Sequence, residues 1–258
     1  MTSKTSVLPV PTGAVMAVTG GASGLGRASA EAWIAGGGRV VVMDINKDAI
    51  GTTVEELGER ARGVVADVTS KASVDAAIES VAKIEGQLDA LVCCAGNALP
   101  VDSATMTDEQ FDSLLQIHLN GTMRCARAAY PLLKASQGTI VTVSSVAGSH
   151  GMPRRASYNT VKHGLIGLTK SLAVEWAPDG IRTNAVAPGY TRTPFNQQLI
   201  DEGKLDMDPT VARIPMDRWA EPQEMANPIV FLSTEASSFV NGHTLFVDGG
   251  MTIAGDWY

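Results

Sequence analysis

VMAVTGGASGLG, Val15 to Gly26, runs from an apolar stretch straight into a turn spaced by glycines. The first five residues read as a buried parallel strand, because they present no polar face to water. From about Leu25 to Ala35 the pattern is helical, and Gly36-Gly37-Gly38 stops it. Strand, tight turn and helix in that order begin a βαβ unit. Glycines at 20, 24 and 26 let the backbone approach a pyrophosphate at the helix N-terminus. The same spacing also suits a strand-to-helix turn that holds no ligand.

The alternation continues to the far end of the chain. Strands are expected at Arg39–Asp44, Gly63–Asp67, Ala90–Cys94, Thr139–Ser144, Ile181–Ala187 and Thr244–Val247. Helices are expected at Lys47–Glu59, Ser70–Glu85 and Asp108–Lys134, and from the SYNTVK stretch to about Trp176. Apolar strands separated by helices imply an α/β, doubly wound (Rossmann-type) parallel sheet of about seven strands with helices on both faces. Residues 1–12 read as a flexible polar tail and 13–258 as a single domain. The stretch from Gly189 to about Ala220 is too polar, and too rich in Pro, Asp and Gly, to join the sheet. It is expected to be an irregular lid at about 190–220.

Composition narrows the function classes. The formal charge of −7 argues against nucleic acid or an anionic membrane as partner, since both call for a basic face. No apolar run approaches the roughly 20 residues of a membrane span. The N-terminal MTSKTSVLPVPTG lacks the apolar core of a signal peptide. The three cysteines, Cys93, Cys94 and Cys125, are odd in number and two are adjacent in an apolar run, which favours buried thiols over disulfides. A soluble cytoplasmic protein is expected.

Asp44 ends the second strand, eighteen residues after Gly26. An acid there accepts hydrogen bonds from an adenosine ribose and repels a 2′-phosphate. Ser23 and Ile45 add no positive charge, so the expected cofactor is NAD. The competing reading is that Asp44 caps the Lys47 helix. Further on, SYNTVK puts Tyr158 and Lys162 one helical turn apart. Such a pair is either a proton-transfer device, the ammonium favouring a phenolate, or a chance surface neighbour.

With these residues together, the sequence resembles the short-chain dehydrogenase/reductase family from about Gly13 to the C-terminus. Besides TGGASGLG and Tyr-x-x-x-Lys, it has Asp67-Val68, Ala95-Gly96, Asn120 within IHLNGT, and Ser145 thirteen residues before Tyr158. NAVAPGYTRT and FVDGG complete the match. The resemblance implies that Tyr158 is the acid/base and that Lys162 lowers its pKa and holds the nicotinamide ribose. It implies that Ser145 binds the substrate oxygen and that Asn120 holds a water linking Lys162 to solvent. It implies cofactor contacts at Gly20, Ser23, Gly24, Leu25, Gly26, Asp44 and Ile45. Further contacts are implied at Asp67, Val68, Cys94, Ala95, Gly96, Pro188, Gly189, Thr191 and Thr193, besides Tyr158 and Lys162. A homotetramer through the two long helices is implied as well. Cys94 departs from the family's usual Asn-Asn-Ala-Gly and cannot offer the asparagine's hydrogen bonds.

Candidates to touch the substrate, beside Ser145, are His150, Met152, Tyr190 and Phe195; the terminal GDWY is a further candidate to reach a neighbouring subunit. The other histidines show no ligand spacing, so no metal is expected. The expected function is an NAD-dependent oxidoreductase interconverting a small secondary alcohol and its ketone. The alternatives are a 3-oxoacyl thioester reductase and a non-catalytic NAD-binding regulator.

Overall fold

The computed structural model describes residues 8–203 and 205–255. Residues 1–7 of the expected tail lie outside them, as do the last three residues of GDWY. Within the rest of that tail, Val10 is buried and donates its N–H to the Gly36 carbonyl at 2.9 Å, so packing begins before Gly13.

The strands are β1 (Val15–Thr19), β2 (Arg39–Asp44), β3 (Ala61–Val65), β4 (Ala90–Cys93), β5 (Thr139–Val143), β6 (Arg182–Pro188) and β7 (Thr244–Val247). They form one sheet in the order β3-β2-β1-β4-β5-β6-β7, and every pairing is parallel. The connecting helices are α1 (Gly24–Ala35), α2 (Lys47–Leu57), α3 (Lys71–Ile84), α4 (Asp108–Leu114), α5 (Gly121–Ser136) and α6 (Ala156–Trp176). Successive strand residues point to opposite faces, and the core divides accordingly. Val15 and Ala17 join a cluster with Cys125, Leu133 and Trp176 from α5 and α6. Met16 and Val18 join another, with Trp33 of α1 and Ile50 of α2. All three cysteines are free.

Three differences from the sequence expectation have physical causes. Strand β3 lies two residues earlier than expected, because pairing with β2 sets it (Val40 opposite Ala61, Asp44 opposite Val65). An edge strand that is only half-buried gains little from placing its apolar residues centrally. Secondly, α4 and α5 are joined by a π-helical turn, Leu115–Asn120, instead of one continuous α-helix.

Thirdly, the expected irregular lid contains two helices, α7 (Pro194–Asp201) and α8 (Asp208–Val211). Its ends meet in a bridge between Thr191 and Ala220. It shares a small core with Val146 and Met251 beneath it, in which Trp219 stacks on Tyr190 at 5.3 Å and donates its ring N–H to Thr210 at 2.8 Å. Helix α9 (Pro222–Leu232), which the sequence reading lacked, follows and packs on α1. Among the described residues no helix is long and apolar enough to cross a membrane.

The strand order reverses direction at β1, which lies between β2 and β4. In such sheets the crevice opens at the carboxyl ends of the two diverging strands.

Candidate active site

Local sequence builds the floor of that crevice. The Thr19 hydroxyl accepts from the N–H groups of Cys94 and Ala95 at 3.1 and 3.2 Å, which ties the ends of β1 and β4 together. Gly20 has φ +65, and a β-carbon there would stand 2.9 Å from the Ala95 α-carbon. Ser23 precedes α1 without a side-chain capping bond, so the first-turn N–H groups of α1 have no side-chain partner.

A cavity of about 590 Å³ follows from this turn. It is lined by Gly20, Ser23, Gly24, Leu25, Asp44 and Ile45, then by Asp67, Val68, Cys94, Ala95 and Gly96. Ser145, Tyr158, Lys162, Pro188, Gly189, Thr191 and Thr193 line it too, as do Met152, Tyr190 and Phe195. Three residues expected at the site do not. Gly26 is packing: a β-carbon there would lie 2.2 Å from the Gly20 carbonyl oxygen. His150 has Nδ1 2.9 Å from the Ser149 hydroxyl, and its carbonyl accepts from Asn159. Asn120 is exposed at the end of the π-helical turn.

Asp44 accepts from the Ala22 and Asn46 N–H groups at 3.2 and 3.0 Å. The cap of α2 is Asn46, which accepts from Asp48 and Ala49, so Asp44 is not needed for that purpose. The cations lining the cavity are Arg155 and Lys162.

Tyr158, Lys162 and Ser145 converge where α6 faces the loop after β5. The Ser145 hydroxyl accepts from the Ala147 N–H at 3.1 Å and faces the Tyr158 phenol, whose ionised form it favours. Lys162 donates to the Val143 carbonyl at 2.8 Å, and its ammonium lies 5.3 Å from the centre of the Tyr158 ring. Burial raises the Tyr158 pKa, while the Ser145 hydroxyl and the Arg155 charge pull it down. Burial also lowers Lys162 to about 8. In the chain alone, then, the phenol stays protonated at neutral pH.

A family model described as enoyl-(acyl carrier protein) reductase matches residues 20–252. The cis-4-hydroxycyclohexanecarboxylate dehydrogenase of Sinomonas cyclohexanicum is 40% identical over 92% of this chain and 96% of its own. The 3-oxoacyl-[acyl-carrier-protein] reductase of Thermotoga maritima is 34% identical over 93% and 98%. Among solved structures, the 3-ketoacyl-(acyl-carrier-protein) reductase of Brucella melitensis, complexed with NADH, is similar with a TM-score of 0.87. Its identity is 30%, over 94% of this chain and 99% of that one. This chain belongs to the short-chain dehydrogenase/reductase family.

As a short-chain dehydrogenase/reductase it is an oxidoreductase of CH–OH and keto groups, in a family that uses a nicotinamide cofactor. The glycine cradle and the uncapped α1 terminus fit such a cofactor's pyrophosphate. The sequence resemblance implies Asn120 beside Lys162, but the structure puts His118 there instead. His118 is buried and lines the cavity, with its ring edge-on to Tyr158 at 5.9 Å. Its Nε2 is 2.9 Å from the Asn97 carbonyl oxygen. Burial, followed by the Lys162 charge, pulls its pKa down to about 3, so the imidazole is neutral. Cys94 lines the cavity as a thiol that burial pushes to about 11. Arg155, which the sequence reading did not single out, lines it too.

Proposed function

We propose that this chain is an NAD-dependent dehydrogenase that interconverts a small secondary alcohol and its ketone, with Tyr158 as acid/base. The observation that carries the reading is the convergence of Ser145, Tyr158 and Lys162 in the cavity that begins at the glycine turn. Bound there, the oxidised nicotinamide would accept the hydride from the carbinol carbon. Tyr158 takes the hydroxyl proton, and Ser145 donates to the substrate oxygen as it gains negative charge. Lys162 holds the ribose, and the neutral His118 takes over the water-holding role that the sequence resemblance implies for Asn120. Burial raises the Tyr158 pKa, and the adjacent Lys162 ammonium favours the phenolate, as the positive charge of an oxidised nicotinamide bound there would too.

Preference for NAD over NADP is supported by Asp44, which has no cation beside it in the cavity lining. Ser23 to Leu25, Ile45, Asp67, Val68 and the residues from Pro188 to Thr193 complete the proposed cofactor contacts. The segment at about 190–220 acts as the lid over Met152, Tyr190 and Phe195. A cytoplasmic homotetramer built on α5 and α6 is proposed from the family resemblance, and sedimentation would read its size.

A second reading, a 3-oxoacyl thioester reductase, is favoured by the names of the Thermotoga and Brucella relatives. One assay separates the two: NADH formation from cyclic, aryl and aliphatic secondary alcohols, beside the reverse reaction on a 3-oxoacyl thioester with NADH or NADPH. Turnover of free alcohols with NAD⁺ supports the first reading. Activity confined to the thioester with NADPH overturns it.

A further inference from the structure

Arg155 is a cation without an answering anion. It is the residue at which α6 begins, it lines the cavity, and its Nη1 is buried with no hydrogen-bond partner. Among the described residues no carboxylate pairs with it. The groups around it are the phenols of Tyr158 and Tyr190, neutral at pH 7, and a second cation, Arg154. Arg155 is only half-buried, but a buried guanidinium N–H left unpaired is costly, so its persistence at a cavity wall calls for a partner that arrives with the ligand.

The backbone places it there against local preference. Arg154 has φ +57, a left-handed conformation that a non-glycine residue rarely adopts. Its carbonyl is held by the Val101 N–H at 3.2 Å, from the loop after β4. The pyrophosphate cradle, by contrast, lies at the α1 terminus, which needs no guanidinium. Arg155 instead precedes Tyr158 by about one helical turn, so both can address opposite ends of one small molecule.

We propose that the substrate is a small hydroxy- or oxo-carboxylate, its carboxylate paired with Arg155 while its hydroxyl or keto oxygen meets Tyr158 and Ser145. This rests on the dehydrogenase reading above. A planar carboxylate matches the guanidinium fork in two parallel hydrogen bonds. One guanidinium also balances its single charge, and the neighbouring Met152, Tyr190 and Phe195 suit a carbon skeleton between the two polar ends.

Two measurements test this, and the first needs no turnover. Unreactive cyclohexanecarboxylate and benzoate are titrated calorimetrically into protein saturated with NADH, beside their primary amides. Wild type should bind the acids more tightly than the amides. Arg155→Gln should weaken acid binding by about ten- to a hundredfold, and Arg155→Lys should restore part of it. Acids that fail to bind, or that bind Arg155→Gln as well as wild type, overturn the proposal.

The second compares kcat/KM for hydroxycarboxylates and their amides with NAD⁺. A preference for the acids that collapses in Arg155→Gln supports it. Equal rates on acid and amide overturn it while leaving the dehydrogenase reading intact. Absence of turnover on every alcohol tried strikes the dehydrogenase reading, and the calorimetry then decides for carboxylate recognition alone. If Arg155→Gln chiefly raised the KM for NAD⁺, the guanidinium would serve the cofactor and the proposal would fall.

Discussion

Gly96 and His118 share a space that only a glycine leaves open. A β-carbon at residue 96 would lie 2.2 Å from the imidazole Cε1 and 2.8 Å from Nδ1. The contact joins the loop after β4 to the π-helical turn before α5, and it fixes the ring whose edge meets Tyr158.

Gly96→Ala should therefore force the imidazole aside. Overpacking of this kind costs about 1–3 kcal/mol, to be read from the midpoint of urea unfolding. Turnover should fall as well. An unchanged midpoint would mean that the ring has somewhere else to go.

His118 also makes stability sensitive to acid. Its folded pKa is about 3, against an ordinary value of 6.5 in the unfolded chain. Above pH 6.5 neither state binds the proton, and the residue adds no pH dependence. Between 6.5 and 3 the unfolded chain takes the proton while the buried imidazole does not, so folding free energy falls steadily as pH falls. His118→Asn removes that titration. Its unfolding free energy should decline less steeply over this window than that of the wild type, and identical slopes would contradict the assignment.

Tyr158→Phe keeps the ring and deletes the acid/base. Turnover should drop by about 10²–10⁴-fold or more, while NADH binding, followed by fluorescence, stays close to wild type. Near-normal turnover would remove Tyr158 from the chemistry.

Asp44→Ala should raise the Michaelis constant for NAD⁺ and narrow the gap between NAD⁺ and NADP⁺. Each hydrogen bond lost to a charged acceptor is worth about 1.5–3 kcal/mol, or roughly tenfold to a hundredfold. Constants unchanged for both cofactors would show that the ribose does not rest on this carboxylate.

The sheet and most of the cavity wall were legible because each rests on local chemistry. An apolar run such as Val15–Thr19 has few alternatives to a buried strand, and a glycine-spaced turn after it has few alternative uses. What was missed depends on phase or on distant contacts. Residues 118 and 120 project about 200° apart on a helix, and the π-helical turn resets the phase that would choose between them. The direction of Arg155 is set by Arg154 and by Val101, far away in sequence. Helices α7 and α9 were a different matter. Thr193 accepts from the Asn196 N–H and Pro194 follows it, while Glu221 and Glu224 form a capping box around Pro222. Both start signals stand in the sequence, and the polar composition around them masked the first.

The bridge between Thr191 and Ala220 closes the lid segment at its base. The Ala220 N–H reaches the Tyr190 carbonyl at 3.0 Å, and the Arg192 N–H reaches the Ala220 carbonyl at 2.9 Å. A loop whose ends are already pinned gives up little further closure entropy when its interior is lengthened or rewritten. The residues between can thus change length at small entropic cost, provided the new segment keeps its packing on Val146, Phe246 and Met251 beneath.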